Sequence, residues 1–229
     1  MSERNNILGR IREALKVSAP LPGLHGDTAS AHRSTESPAS HAREWLPSVG
    51  ASSEEQVALF AKNAADLKAD FQLFASRDEL IIALIKLRDT EKWSRVASHG
   101  GGLTNFANKA LGLPVTLTDH GYNVQEMEQC DAGITECDAL IAQTGGVVVT
   151  SRSAGGRALS VLPPHHVVIA QRGQLVSDLP TAFANLQSKY APDFPSMISF
   201  ITGPSRTGDI ERILVLGAHG PKKLTILCF

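Results

Sequence analysis

Residues 199–221 read Ser-Phe-Ile-Thr-Gly-Pro-Ser-Arg-Thr-Gly-Asp-Ile-Glu-Arg-Ile-Leu-Val-Leu-Gly-Ala-His-Gly-Pro, and they carry the strongest information on the fold. An apolar run ends in the polar segment 202–207, and Asp209 and Glu211 follow where the first turn of a helix would lie. A strand, a polar turn and a helix N-terminus in this order are typical of ligand sites in open α/β sheets. The stretch therefore predicts an α/β fold with a site at this turn.

The rest of residues 53–229 alternates apolar segments of strand length with amphipathic helical segments. Capping-box patterns start helices near Ser53 and at Ser76, and another helix covers residues 177–186. The turn at residues 143–146 joins two strands as a hairpin. This pattern predicts a layered α/β domain with a mostly parallel sheet and an inserted hairpin. The strand candidates are residues 71–74, 95–97, 113–117, 139–142, 147–150, 167–170, 197–201 and 223–227.

The N-terminal part of the chain differs in composition from the rest. Apolar residues in segment 1–17 recur at helical spacing, which predicts an amphipathic helix. Segment 18–52 is rich in Ser, Ala, Pro, Gly and His, which indicates a flexible or irregular linker. The sequence thus predicts a helical arm, a linker and an α/β domain over residues 53–229. Whether the arm packs on its own domain or on a partner stays open.

Composition narrows the possible function. The 229 residues carry a formal net charge of -1, so there is no overall basic field for nucleic acid. No uncharged apolar run approaches the ~20 residues that a membrane span needs. Charges throughout residues 1–16 argue against a signal peptide, so we expect a cytoplasmic protein. The three cysteines form no C-x-x-C pair, and we expect free buried thiols and no metal site.

The segment 202–207 has two physical interpretations. Backbone amides of a turn that enters a helix can hold an anion, and the guanidinium of Arg206 suits a carboxylate or a phosphate. Ser205 and Thr207 add hydroxyl groups to such a site. Alternatively, Ser205 or Thr207 caps the helix, with Asp209 and Glu211 complementing its dipole. The residues alone do not decide between a site and a cap.

Other residues are candidates for chemistry. His219 lies in a turn before the last strand, where it could act as a general acid or base. His165 and His166 are adjacent on a strand, so their side chains point to opposite faces and cannot share a metal. The run His-Gly-Gly-Gly at 99–102 is a glycine-rich turn that lines a cleft if neighbouring strand ends converge there. Because no G-x-S-x-G motif is present, a lipase-type hydrolase is disfavoured.

Residues 201–211 and 216–222 together resemble the C-terminal signature of the LUD (lactate utilization) domain family. Segments 142–147 and 162–167 lie where that family has its Thr-Gly turn and its Leu-Pro…His segment. The resemblance implies a Rossmann-like fold of the NagB/RpiA/CoA-transferase-like type. It also implies a role in oxidising L-lactate to pyruvate beside iron–sulfur partner proteins. Since the ferredoxin-type cysteines of the sister subunit are missing here, we expect no cofactor in this chain.

The resemblance favours a ligand site over a helix cap and suggests a small organic anion or a phosphorylated ligand. Candidate catalytic residues are His219, Glu136 and His165. The family often has Thr where this chain has Gly146, which puts one ligand contact in doubt. The predicted ligand-binding residues are Thr144, Gly145, Gly146, Thr202, Gly203, Pro204, Ser205, Arg206 and Thr207.

Three functions are open at this point. The first is an accessory or ligand-binding subunit, without iron–sulfur clusters, of an L-lactate-oxidising complex. The second is a stand-alone enzyme of the same fold acting on a CoA ester, a sugar phosphate or a folate. In that case Glu136 is a candidate nucleophile, because it is the one glutamate beside a candidate ligand turn. The third is a structural subunit that docks through its N-terminal helix.

Overall fold

The computed structural model describes residues 47–207, 215–217 and 219–229, with a few isolated positions between residues 10 and 16. The predicted N-terminal helix and linker therefore lie, apart from those positions and residues 47–52, outside the described residues. The chain divides into two compact units, Met1–Glu44 and Trp45–Phe229. All elements described below belong to the second unit.

The second unit contains helices and strands in alternation. The helices are α1 (Ser53–Asp66), α2 (Arg77–Glu91), α3 (Gly102–Leu111), α4 (Val124–Glu128) and α5 (Leu179–Tyr190), with a 3₁₀ turn at Arg172–Gln174. The strands are β1 (Asp70–Leu73), β2 (Val96–Ser98), β3 (Val115–Leu117), β4 (Ala132–Thr135), β5 (Ala139–Ile141), β6 (Gly146–Thr150), β7 (His165–Ala170), β8 (Leu175–Val176), β9 (Ile198–Ile201), β10 (Arg206–Thr207), β11 (Val215–Leu216) and β12 (Lys223–Cys228).

The main sheet has six strands in the order β1-β12-β7-β4-β2-β3. Every neighbouring pair in it is parallel. One face of β7 and β12 packs on Phe60 and Ala64 of α1, and the other face packs on α2 and α3. The run Val167–Ile169 is buried throughout, as expected for a parallel strand that is covered on both faces. The predicted layered α/β fold with a parallel sheet is confirmed.

The predicted hairpin belongs to a separate sheet. Strands β5 and β6 pair antiparallel around the turn at residues 142–145, and they lie within a four-stranded sheet in the order β8-β5-β6-β9. Its outer face packs on α5 through Ala182, Leu186 and Tyr190. Strand β9 pairs antiparallel with β6 and is not part of the parallel sheet. The sequence segment that follows β9 therefore does not continue from a strand of the main sheet.

Local signals account for most helix starts. Ser52, one residue before the predicted position, caps α1 and forms a capping box with Glu55. Ser76 caps α2 as predicted, and Asp178 caps α5. The sequence interpretation missed α3 and β4. Helix α3 starts after Gly101, which has no capping side chain, and β4 contains Ala and Gly where strands usually carry β-branched residues.

At the end of the predicted linker, Val49 packs against the core of the domain. The cysteines Cys130, Cys137 and Cys228 are free and buried, as predicted. Within the described ranges, no helix combines the length and the apolar character that crossing a membrane requires.

Candidate functional site

The segment that follows β9 lies at the amino edge of the parallel sheet, the edge where its strands begin. Arg206 and Thr207 form strand β10, which pairs antiparallel with β11. These two residues are therefore in a strand and not in the turn that the sequence predicted. The predicted helix falls on residues 208–214, which are outside the described residues.

Arg206 interacts with the end of helix α1. Its Nη2 donates a hydrogen bond to the carbonyl of Leu67, the C-cap residue of that helix. Gly203 also packs against this carbonyl, because a Cβ built on it would be 2.4 Å from the Leu67 carbonyl oxygen. A cation at a helix C-terminus also interacts favourably with the helix dipole. In this structure the guanidinium of Arg206 therefore has a structural partner.

The two predicted ligand turns are neighbours. Asn63 of α1 holds the hairpin turn by donating to the carbonyls of Ala142 and Gln143. A Cβ built on Gly146 would lie 3.3 Å from Cγ2 of Thr202 and 3.1 Å from Oγ1 of Thr144. The structure thus brings Thr144, Gly146 and Thr202 together, with Gly145 packed directly against α1.

The opposite edge of the sheet carries a polar cluster, which we call the carboxyl-edge cluster: His99, Gly101, Thr104, Asp119 and Glu136. The strands β2, β3 and β4 converge there, which is the condition under which the 99–102 turn was expected to line a cleft. Glu136 Oε1 accepts hydrogen bonds from the amides of Leu103 (2.7 Å) and Thr104 (3.2 Å). Its carboxylate thus replaces the missing N-cap side chain of α3.

The remaining groups of the carboxyl-edge cluster are also paired. Asp119 accepts from the amide of Gly100 at 2.8 and 3.0 Å. Nε2 of His99 accepts from the amide of Glu136 at 3.4 Å. Burial lowers the pKa of His99, and this effect outweighs the opposing influence of the Glu136 and Asp119 carboxylates. His99 is therefore a neutral group with a structural partner.

The loop after β6 closes this edge. Gly155 has a φ of +57°, and a Cβ on it would lie 2.2 Å from the Cβ of His99. Its carbonyl accepts a hydrogen bond of 2.6 Å from Oγ1 of Thr118. The loop therefore packs on His99 with no space for a side chain at position 155.

Three cavities lie at the amino edge and share Lys222; we call them the amino-edge cavities. The largest has a volume of about 580 Å³ and is lined by His219, Glu128 and Pro164, among others. The two smaller ones, of about 200 and 220 Å³, are both lined by His165, Glu91 and Lys223 in addition to Lys222. Of the predicted catalytic residues, His219 and His165 line these cavities, whereas Glu136 lies at the other edge.

Lys222 is an exposed lysine that lines all three cavities, and the sequence interpretation did not single it out. Gly217, with a φ of +73°, packs against its stem, and a Cβ there would be 2.1 Å from Cγ of Lys222. Its neighbour Lys223 bonds both carboxylate oxygens of Glu91, at 2.6 and 2.7 Å. Within the described residues Lys222 itself has no ion-pair partner. The sequence feature that could have identified Lys222 is its position at the end of the 216–222 motif.

His165 and His166 point to opposite faces of β7, as predicted from their adjacency. Nε2 of His165 lies 2.9 Å from Oγ1 of Thr225, and Nε2 of His166 lies 2.9 Å from Oγ1 of Thr135. Burial lowers the pKa of His165 to about 4 and that of His166 to about 3. Both rings are therefore neutral at physiological pH. Nδ1 of each ring is buried without a hydrogen-bond partner.

Over the part of the chain that the structure describes, no three His, Cys, Asp or Glu side chains are grouped so that they could hold a metal ion. The amino-edge cavities are lined by the cations Lys222 and Lys223, by His219 and His165, and by acidic residues that include Glu91, Glu128 and Asp131.

Comparison with known proteins shows which family this chain matches. The LUD domain family matches residues 57–228. A "Lactate utilization protein C" from Shouchella clausii is 30% identical over 180 residues, covering 76% of this chain and 78% of that protein. A protein of the same name from Halalkalibacterium halodurans is 36% identical over 139 residues, covering 58% of this chain and 59% of that protein.

One solved structure shares the fold. The crystal structure of a DUF162 family protein from Deinococcus radiodurans superposes with a TM-score of 0.61. The alignment covers 78% of this chain and 99% of that chain, at 21% sequence identity. At this identity the likeness supports the α/β architecture alone.

Proposed function

The chain belongs to the LUD domain family, and we propose on that basis that it takes part in lactate utilization. Relatives named lactate utilization protein C, at 30% and 36% identity, support this proposal. In this role the chain is a ligand-binding subunit of a system that oxidises L-lactate to pyruvate. We assign electron transfer to iron–sulfur partner proteins, as the family resemblance implies.

The ligand of this subunit is a small organic anion, and it binds in the amino-edge cavities. The observation that carries this assignment is Lys222, a cation that lines all three cavities and has no ion-pair partner among the described residues. A carboxylate on this ammonium group would form a charge-assisted hydrogen bond. His219, in the wall of the largest cavity, adds a second polar group.

The carboxyl edge is the usual ligand position in open α/β sheets, but its electrostatics here disfavour an anion. Asp119 and Glu136 place two carboxylates in that cluster, and Glu136 already occupies the amides at the start of α3. A bound carboxylate would have to displace Glu136 and lie beside like charge. The amino-edge cavities are also lined by carboxylates, but Glu91 there is paired with Lys223, and Lys222 has no ion-pair partner among the described residues.

Binding by the purified chain tests the assignment of the site. We expect L-lactate or pyruvate to raise the melting temperature of the wild-type protein, and calorimetry to give the affinity. Lys222→Gln should weaken binding about 10- to 100-fold, the usual contribution of a hydrogen bond to a charged group. Lys109→Gln, which changes an exposed lysine on α3, is the matched control and should bind as the wild type does. Equal affinities for both variants would remove Lys222 from the site.

The proposed role in lactate utilization is tested by growth on L-lactate. Deleting the gene should abolish growth on L-lactate, and the wild-type gene should restore it. Normal growth of the deletion strain on L-lactate would contradict the proposal. Turnover by the purified chain without any partner protein would instead indicate a stand-alone enzyme, and co-purification with iron–sulfur proteins would support the subunit role.

A further inference from the structure

Strand β9 lies at the edge of the four-stranded sheet. It pairs with β6 on one side, and among the described strands none pairs with its other side, which we call the open edge. Its four residues, Ile-Ser-Phe-Ile, carry no charge. Proteins usually protect such an edge with a charged residue, a proline or a very short strand. The other edge strands of the two larger sheets are protected in this way, since β1 contains Asp70, β3 has three residues and β8 has two.

The pairing with β6 shows which backbone groups of β9 face the open edge. The amide of Ser151 donates to the carbonyl of Met197 at 3.0 Å, so these two residues form a hydrogen-bonded pair. In an antiparallel ladder every second pair is of this kind. Following the register of β6 and β9, the N–H and C=O groups of Ile198 and Phe200 therefore point to the open edge. Outside the ladder, no hydrogen bond between described residues involves these groups.

The side chains beside the open edge are apolar. Ile198 and Phe200 lie on the outer face of the sheet, where they pack with α5. The ring of Phe200 is 5.1 Å from the ring of Phe183 on α5, and Phe183 is 54% exposed. Aromatic residues are enriched at protein interfaces. The open edge thus combines unused backbone groups with exposed aromatic surface.

We propose that β9 pairs antiparallel with β9 of a second copy of this chain, about a two-fold axis at Ser199. In this register, Ile198 of each copy lies opposite Phe200 of the other, and the outward N–H and C=O groups of these residues bond to one another. An aromatic side chain opposite a β-branched one is a favourable cross-strand pair. The two four-stranded sheets then form one continuous sheet across the dimer.

The chemistry of β9 favours an identical strand over a charged partner segment. Because the strand carries no charge, pairing with itself places no like charges opposite each other. A charged segment of another protein would find no counter-charge on it. A two-fold axis also presents the same outward groups from both copies, so that every donor at the open edge meets an acceptor. The dimer is closed, because each copy uses its open edge once.

A cysteine at the two-fold axis tests the register. Ser199 of each copy lies opposite Ser199 of the other in a non-hydrogen-bonded pair, where side chains are closest. Ser199→Cys should therefore give a disulfide-linked dimer under mild oxidation. Ser196→Cys is the matched control, because Ser196 is exposed but its two copies would lie about 20 Å apart along the strands. The three native cysteines are buried and should not react.

Sedimentation velocity on the full wild-type chain measures the association itself. We expect a monomer–dimer equilibrium with a dissociation constant in the micromolar range, because one strand pair with few flanking side chains is a small interface. Ile198→Pro removes an outward N–H group, at a position where an edge strand tolerates proline. This variant should dimerise about tenfold more weakly or less tightly still, since each copy loses a backbone hydrogen bond to the other.

A wild type that stays monomeric up to about 200 µM would overturn the proposal, as would a dimer that Ile198→Pro leaves unchanged. Equal crosslinking of the two cysteine variants would show that the copies do not meet at Ser199. If circular dichroism shows that Ile198→Pro does not fold, the two cysteine variants decide the question. None of these measurements uses lactate, so their outcome is independent of the proposed function.

Discussion

At the carboxyl edge of the parallel sheet Glu136, Asp119 and His99 all have partners within the chain, whereas at the amino edge Lys222 and Nδ1 of His165 have none among the described residues. The first edge is also closed by the loop at Gly155, while the second borders three cavities. Polar groups that satisfy each other stabilise a fold, whereas an exposed cation without an ion-pair partner, such as Lys222, is available to an anionic ligand.

The comparison shows that the rule for open α/β sheets does not by itself locate the site. That rule places ligands at the carboxyl ends of the strands, where a helix N-terminus is free to bind an anion. In this chain the amides at the start of α3 bind the carboxylate of Glu136. The comparison predicts that changes at the carboxyl edge lower stability and that changes at the amino edge lower ligand affinity.

The largest expected effect on stability is at Gly155. Gly155→Ala combines a left-handed backbone with a Cβ 2.2 Å from the Cβ of His99 and 2.7 Å from Oγ1 of Thr118. The left-handed conformation costs about 1 kcal/mol and overpacking about 1–3 kcal/mol, so we expect a total loss of about 2–4 kcal/mol. Urea unfolding followed by circular dichroism measures it.

Gly112 supplies the control for this prediction. It has nearly the same φ, +63°, but a Cβ on it would meet nothing within 4 Å. Gly112→Ala should therefore cost only the backbone contribution, about 1 kcal/mol. If the two substitutions cost the same, the loop at Gly155 is not packed tightly on His99, and the carboxyl edge is more open than we describe.

The two histidines of β7 should make stability depend on pH. Burial lowers the pKa of His165 to about 4 and of His166 to about 3, against about 6.5 in an unfolded chain. Because the unfolded chain then binds protons that the folded chain does not, stability is highest above pH ~6.5 and falls as the pH decreases toward ~4. Each histidine should contribute a slope of about 1 kcal/mol per pH unit.

Substituting each histidine in turn shows how much it contributes to the pH dependence of the unfolding free energy. His166→Phe should remove about 1 kcal/mol per pH unit from the slope measured by urea unfolding between pH 6 and 5. His165→Phe should do the same, although its ring borders the amino-edge cavities. A wild-type slope retained in His166→Phe would mean that this ring is protonated in the folded protein, contrary to its burial.

The sequence predicted the outline of the fold because its strongest signals are local. Apolar β-branched runs such as Val167–Ile169 and capping residues such as Ser76 depend on near neighbours in the chain. The opposite orientation of His165 and His166 likewise follows from the period of two residues in a strand. Helix α3 escaped prediction because the side chain that caps it, Glu136, is distant in sequence.

The location of the candidate site could not be predicted in the same way, because it depends on the order of the strands in the sheet, which local sequence patterns do not contain. Lys222 lines the same cavities as His165 because β12 pairs with β7, and the backbone amide of Lys222 donates to the carbonyl of Pro164. Strand β9 was expected to lead into a site, but its antiparallel pairing with β6 places it in the second sheet. His219 and His165 were candidates by residue type, and only the topology relates them to Lys222.

A smaller loss of stability is expected at Glu136. Glu136→Ala removes the acceptor for the amides of Leu103 and Thr104, and a lost helix cap costs about 1 kcal/mol. Glu136→Gln keeps an oxygen acceptor and loses only the charge near the helix dipole, so its cost should be about 0.5 kcal/mol. Hydrogen exchange of the first amides of α3 should accelerate more in the alanine variant. An unchanged stability in Glu136→Ala would mean that this carboxylate is free for chemistry.

The smallest effects on stability should be at the amino edge. Lys222→Gln removes a cation without an ion-pair partner among the described residues, so its unfolding free energy should stay within about 0.5 kcal/mol of the wild type. Lys223→Gln breaks the bond to Glu91 and should cost up to about 1 kcal/mol, since Lys223 is about half exposed. Lys222→Gln should lower ligand affinity more than Lys223→Gln does, because Lys222 has no ion-pair partner among the described residues, whereas Lys223 is paired with Glu91. A loss above about 1 kcal/mol in Lys222→Gln would show that this lysine stabilises the fold, and the distinction between the two edges would then fail.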